Sequence, residues 1–317
     1  FWLKPAMAEL VVLVGDVHGW LDRLAGLWRR LEARLGKEAL EKATMVFLGD
    51  YCDRGPDTRG VLDFLVALKR ERADRAKYGD TVFLAGNHDF AFAAYLGELI
   101  GHRGSVHDKE ALCVASLPAD VGNDEELYMH PIEGGMHYQG RLWGGSDGPF
   151  KSGATFRSYG VLSSPNSAEG RAALIDAVPG DHKEFLRELT LIYDSPVAFP
   201  PGRLIAVHAG LDARQPAEPQ MEALRAGDLS CRWLTPDHPG KIAALSGRGE
   251  VKGMHPDLAG RAILASGHHG EREKPAEHRH VVDSSGGRPR ACLDAPLLPS
   301  EGVVEHEERR GPCSVPP

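Results

Sequence analysis

The chain has 317 residues, of which 42% are hydrophobic, enough for a full core, and its 45 acidic and 37 basic side chains leave a formal charge of -8. That balance excludes a general binder of nucleic acid or of acidic membrane surfaces, and no apolar run approaches the roughly 20 residues of a membrane-spanning helix. The 5 cysteines are scattered and lack any C-x-x-C spacing, so they indicate neither a disulfide framework nor a structural zinc site, and point to a reducing compartment.

Taken in order, the first apolar run, Leu10 to Val14, reads as a buried strand and leads into Gly15-Asp16-Val17-His18-Gly19. Leu21, Leu24, Leu27, Trp28, Leu31 and Leu35 then recur at helical spacing. A second strand, Met45 to Leu48, leads into Gly49-Asp50-Tyr51-Cys52-Asp53-Arg54-Gly55, with burial expected for Cys52. The next helix carries Val61, Leu62, Phe64, Leu65 and Leu68, and the charged run Lys69 to Lys77 reads as its solvated end. A third strand, Thr81 to Ala85, stops at Gly86-Asn87-His88-Asp89. Residues 101–165 are rich in Gly, His and Ser, weakly periodic and too long for an ordinary connection, so a site-shaping insertion is expected there. Helices follow at Ala168 to Ala177 and His182 to Leu191, and a strand at Leu204 to Val207 runs into His208-Ala209-Gly210. A helix near Gln220 to Ala226 comes next, then strands at Ala262 to Ala265 and His280 to Val282 around Gly267-His268-His269-Gly270. Residues 305–317 read as a flexible tail, leaving 7–304 as one domain.

The polar blocks thus fall where strands stop, the edge at which open α/β sheets bind ligands. Two cations about 3.5–4 Å apart can share and activate a hydroxide for phosphate-ester hydrolysis, and a shared carboxylate is the usual bridge. Asp50 is the candidate bridge, with Asp16 and His18 from one neighbouring strand end, Asn87 from the other, and His208 and His268 completing the second metal. Nitrogen and oxygen donors without a thiolate suit Mn, Fe, Zn or Mg and leave the choice open. His88 adjoins a ligand and can protonate a leaving oxygen if a carboxylate such as Asp53 holds it. Arg54 offers a planar fork for phosphate oxygens.

These blocks resemble the signature of the phosphoprotein phosphatase branch of the calcineurin-like metallophosphatases: G-D-x-H-G, G-D-x-x-D-R-G, G-N-H-[DE], H-x-G and a late histidine. The resemblance implies an α/β fold in which two mixed sheets form a sandwich flanked by helices, with two metal ions (Mn, Fe or Zn) at the C-terminal strand ends. It assigns Asp16, His18 and Asp50 to the first metal, and Asp50, Asn87, His208 and His268 to the second. It also makes His88 the general acid, Asp53 its carboxylate partner and Arg54 a phosphate-binding residue. Asp89 in place of the usual Glu, and the long segment from His88 to His208, set the chain apart from serine/threonine-specific members. Phe47 to Pro56, Leu84 to Phe92, Ser158 to Val161, Leu245 to Arg248 and Ser266 to Gly270 look like the plant Rhizobiales-like phosphatases. That group implies phosphotyrosine specificity, cytoplasmic or nuclear residence and a second phosphate arginine, Arg248.

Phosphotyrosine holds its phosphorus farther from the backbone than phosphoserine does, so a wall built by residues 101–165 can select it by reach. Within that segment His137, Tyr138 and Arg141 are candidate substrate contacts, for the ring or for the second phosphate of a kinase activation loop. A dinucleoside polyphosphate hydrolase, a serine/threonine phosphatase and a non-catalytic phosphopeptide-binding module are the competing readings.

Overall fold

The computed structural model describes residues 8–98, 140, 143–144, 150–165, 167–229, 231–237, 241–300 and 302–306. The described strands form two five-stranded mixed sheets. In the first, β1 (Val11–Val14), β2 (Thr44–Phe47) and β3 (Thr81–Phe83) are parallel, while β9 (Asp294–Leu298) runs antiparallel to β1 and β10 (Val303–Glu305) antiparallel to β9. The second has the order β4-β5-β6-β8-β7, comprising β4 (Tyr193–Pro196), β5 (Arg203–Ala206), β6 (Ile263–Ser266), β7 (Arg272–Ala276) and β8 (Arg279–Val282). Its three inner strands are parallel and the outer two antiparallel to their neighbours.

Strand alternation explains how both faces are used. Val11, Leu13, Val46 and Leu48 cluster with Leu204, Ala206, Ile263 and Ala265 between the sheets. The intervening Val12, Val14, Met45 and Phe47 join a second core with the helices. Each central strand is therefore buried on both sides, which is why it reads as an unbroken apolar run. The parallel pairs need crossovers, supplied in the first sheet by α1 (Leu21–Leu35) and α2 (Lys37–Lys42), then by α3 (Thr58–Glu71). Helix α1 buries Leu24, Leu27 and Leu31, and α3 is capped by Asp57, whose Oδ1 accepts from Gly60 N at 2.8 Å. Helix α4 (Asn87–Leu96) starts directly after the third strand, followed by α5 (Gly153–Ser158), α6 (Ala168–Ala177), α7 (Gly180–Arg187) and α8 (Ala217–Ala226).

Several expectations need correction. Helix α3 stops at Glu71, and Arg72 is no solvated helix end: it is 5% exposed and donates to the carbonyls of Leu40 and Ala43 at 3.0 and 2.7 Å. The helix expected to reach Leu191 ends at Arg187, because Thr190 leaves it to exchange backbone hydrogen bonds with Phe83 and Ala85 beside the third strand. Residues 305 and 306 are not part of a loose tail, since Glu305 pairs with Asp294 and His306 is buried with its backbone N donating to Leu293 O. Cys292 is disulfide-bonded, contrary to the cysteine reading, whereas Cys52 and Cys231 are free thiols. No helix among the described residues is long and apolar enough to cross a membrane.

Candidate active site

Sheet register brings the polar blocks together. Val14, Phe47 and Phe83 are aligned across the first sheet, so Asp16, Asp50 and Asn87 leave it at one edge; Ala206 and Ala265 are likewise aligned in the second, delivering His208 and His268. Backbone bonds lock these turns to one another: His18 N donates to Asp50 O at 2.8 Å and Gly267 N to His208 O at 2.8 Å. The Asp89 carboxylate accepts from Tyr51 N at 2.8 Å and from Gly86 N at 3.0 Å, clamping the second turn to the third. Close approach also dictates a glycine, because a Cβ on Gly86 would lie 2.1 Å from Asp50 Oδ1. His18, Asp50, Asp53, Arg54 and His268 all have left-handed φ, between 49 and 70°. Such strain in non-glycine residues persists only where surrounding contacts over-determine it, and it collects at functional sites.

The described residues contain two compact groups of metal-ligand type, His18 with Asp50 and His88, and Asp50 with His208 and His268. Asp50 belongs to both, as expected of a bridge. Its Oδ2 lies 3.5 Å from His18 Nε2 and its Oδ1 3.4 Å from His208 Nε2. Asp16 stands at the margin, 4.0 Å from His18 Nε2, with its Oδ2 accepting from His268 N at 3.0 Å. Asn87 Oδ1 is 3.3 Å from His208 Nε2 and 3.0 Å from His268 Nδ1.

The donor set fits a pair of cations. Leu48 O faces His208 Nδ1 at 2.6 Å and Cys52 O faces His18 Nδ1 at 3.0 Å, so each ring donates through Nδ1 and turns its Nε2 lone pair inward. That lone pair of His208 confronts only oxygens, an arrangement that calls for a proton or a metal ion between them. His268 Nε2 is buried with no partner. Around His18 the positive charge comes from Arg54, whose Nη1 is 2.8 Å from His18 Nε2 and whose Nη2 is 3.0 Å from His88 Nε2.

Burial sets the electrostatics. It raises the Asp16 carboxyl well above its ordinary range, reinforced by the charges of Asp283 and Asp50. Burial would raise Asp50 too, but His208, His88 and His18 outweigh it and hold it well below. His268 is lowered by burial and then by His208 and Arg248. Buried carboxylates pressed together in this way are stabilised by a cation between them.

Beside this cluster His88 Nδ1 lies 2.7 Å from Asp53 Oδ2, the pairing expected from sequence. Burial pushes the His88 imidazole down to about 3 and the Asp53 carboxyl up to about 7, the latter against the pull of Thr155 and Trp143. The Arg248 guanidinium donates to His268 O at 3.0 Å, at the rim of the site. His137, Tyr138 and Arg141 lie outside the described residues, as does most of the expected wall.

Sequence reasoning missed Trp143, Thr155 and Asp283. The first two donate to Asp53 at 2.7 and 2.6 Å across 90 and 102 residues of chain, and nothing local in the sequence marks them. Asp283 had a signal. It follows the apolar β8 and precedes Ser285-Gly286-Gly287, the pattern of the other blocks, and its carboxylate accepts from Gly270 N at 2.6 Å and Gly286 N at 2.8 Å.

A family model described as calcineurin-like phosphoesterase matches residues 10–148. No curated protein matches the chain. Similar solved structures include a candidate diadenosine tetraphosphatase, with 17% identity, 95% of this chain and 94% of that one covered, and a TM-score of 0.45. Another is a cold-active protein-tyrosine phosphatase of a psychrophilic Shewanella, with 15% identity, 96% and 82% covered, and a TM-score of 0.44. A protein serine/threonine phosphatase from Saccharomyces cerevisiae shares 15% identity over 98% and 86%, with a TM-score of 0.41.

Proposed function

We propose that this chain, whose residues 10–148 match a family model described as calcineurin-like phosphoesterase, is a metal-dependent protein phosphatase that prefers phosphotyrosine. The observation that carries the catalytic part is the His88–Asp53 pair at 2.7 Å, set against the Asp50-centred ligand groups. Asp16, His18, Asp50, Asn87, His208 and His268 would hold the two cations, which when bound neutralise phosphate charge and make water a stronger nucleophile at neutral pH. With a further proton on the His88–Asp53 pair, Asp53 would hold Nδ1–H and the Nε2–H of the imidazolium would pass to the departing oxygen, leaving neutral His88. Arg54 and Arg248 bring guanidinium forks to the phosphate oxygens.

Two features support tyrosine as the substrate side chain. The reacting groups sit low: His88 is 1% and Asp50 2% exposed, so the phosphorus must reach deep, which favours the longer side chain. Phe150 lies edge-on to His88 with ring centroids 4.9 Å apart and offers an apolar face beside the leaving oxygen. A diadenosine polyphosphate remains the competing substrate, since the metal groups themselves do not distinguish phosphate esters from anhydrides.

The test is kcat/KM on matched phosphotyrosine, phosphoserine and phosphothreonine peptides and on diadenosine tetraphosphate, with Mn, Fe or Zn supplied in turn. Phosphotyrosine is expected to lead by about tenfold or more, the scale of a reach-based selection. Equal peptide rates would refute the tyrosine preference. Turnover of the dinucleotide alone would replace the reading with the hydrolase.

A further inference from the structure

Asp53 is completely buried, yet its carboxylate receives three side-chain donors. Oδ2 accepts from His88 Nδ1 and from Trp143 Nε1, both at 2.7 Å, and Oδ1 accepts from Thr155 Oγ1 at 2.6 Å. The Thr155 hydroxyl has only one proton to give, and its remaining contacts are consistent with that. It accepts from Asp53 N at 3.1 Å and faces Thr58 Oγ1 at 3.0 Å, which can donate to it. The carboxylate is thus fixed at both oxygens and its own backbone N is tied to the same hydroxyl.

The donors are themselves immobilised. Trp143 is fully buried, stacked on Phe92 with centroids 4.9 Å apart and on Phe156 at 5.7 Å. Thr155, also fully buried, belongs to helix α5, which packs on α3. Asp53 has φ of 70°, a conformation that needs external support. Without Trp143 and Thr155 the carboxylate would keep one donor and be free to turn about its side-chain torsions.

We propose that Trp143 and Thr155 are positioning residues that fix the Asp53 carboxylate so that it orients His88 for proton transfer. They reach the reaction through Asp53 and touch neither metal ligands nor substrate. Trp143 and Thr155 therefore set the geometry of proton donation. This inference rests on the phosphatase reading above for its kinetic consequences.

The experiment compares Trp143→Phe, Thr155→Val and Thr155→Ser, each alone and combined with Asp53→Asn, on alkyl and activated aryl phosphates. Metal content and thermal midpoint are measured on every variant. The phenylalanine and valine variants should lower kcat on the alkyl ester by about tenfold or more, the scale seen when orienting partners of site residues are removed. KM and metal content should stay near wild type, and the loss should shrink on the activated ester. Thr155→Ser keeps the hydroxyl and should restore the rate. In the Asp53→Asn background neither substitution should cost further activity, because both act through that carboxylate.

Additive losses in that background, an equal loss on both esters or unchanged kcat would overturn the proposal. If the wild-type protein hydrolyses no phosphomonoester with any metal, the functional reading fails and the positioning claim is read by NMR instead. The His88 Nδ1 proton should then be protected from exchange in wild type and exposed in both variants, and its persistence in both would overturn the claim.

Discussion

His88 has its two ring nitrogens in different surroundings. Nδ1 meets the Asp53 carboxylate at 2.7 Å, whereas Nε2 faces the site, 3.0 Å from Arg54 Nη2 and 4.0 Å from Asp50 Oδ2. Its backbone N also donates to Asp50 Oδ1 at 2.9 Å, so main chain and side chain serve different tasks. Replacing His88 by Asn removes the proton donor while leaving that backbone bond. Turnover of an alkyl phosphate should fall by about 10²–10⁴-fold, the usual share of a general acid, with much less effect on an activated aryl phosphate. Elemental analysis should find the metals retained. At this scale the clustering of the polar blocks was legible because each polar residue follows an apolar run within a few positions. Trp143 and Thr155 were not, because hydrogen bonds spanning 90 and 102 residues leave no periodic trace.

Among the elements, the strands that read as unbroken apolar runs were legible, the edge strand β3 included, and those interrupted by charge or proline were not. β4 carries Asp194 and Ser195, β7 carries Arg272, Glu273, Lys274 and Pro275, and β9 has Pro296 within it, all signals that argue against a strand. Two of these, β4 and β7, are sheet edges, where charge and proline discourage pairing with another chain. Residue Arg279 on β8 shows what an inner strand can hide. Completely buried, its guanidinium donates to Gly253 O, Leu264 O, His280 O, Val251 O and Ser266 Oγ at 2.6–3.3 Å. Burial lowers it to about 9, so it is still charged at neutral pH. It braces Ser266 two residues before His268. Arg279→Leu should strip donors from four carbonyls and a hydroxyl and destabilise the fold by about 3 kcal/mol or more. Urea unfolding should show a lower midpoint with an unchanged slope. A midpoint within error of wild type would mean that water replaces the guanidinium.

At the scale of the molecule, the site is a seam between two sheets. Asp16, His18, Asp50 and Asn87 come from the first, and His208 and His268 from the second. The two sheets meet through the apolar cluster of Val11, Leu13, Leu204, Ala206, Ile263 and Ala265, and the polar groups of the site lie at their shared edge. There Asp16 and Asp50 are buried carboxylates, and His268 Nε2 has no partner, so the edge is held less well than the interior. Cations bound at Asp50 would attach both sheets to one carboxylate and stabilise only the folded arrangement. For one site at a free concentration about 100 times its dissociation constant, the linkage is worth about 2.7 kcal/mol. Chelation should therefore lower the thermal midpoint of the wild-type protein, and re-addition of Mn or Zn should restore it. Asp50→Asn removes the shared charge, so its midpoint should not respond to either treatment. A chelator-induced shift of the same size in that variant would place the stabilising cation away from Asp50. No shift in the wild type, with metal shown to be bound, would mean that the sheets are held together by their apolar interface alone.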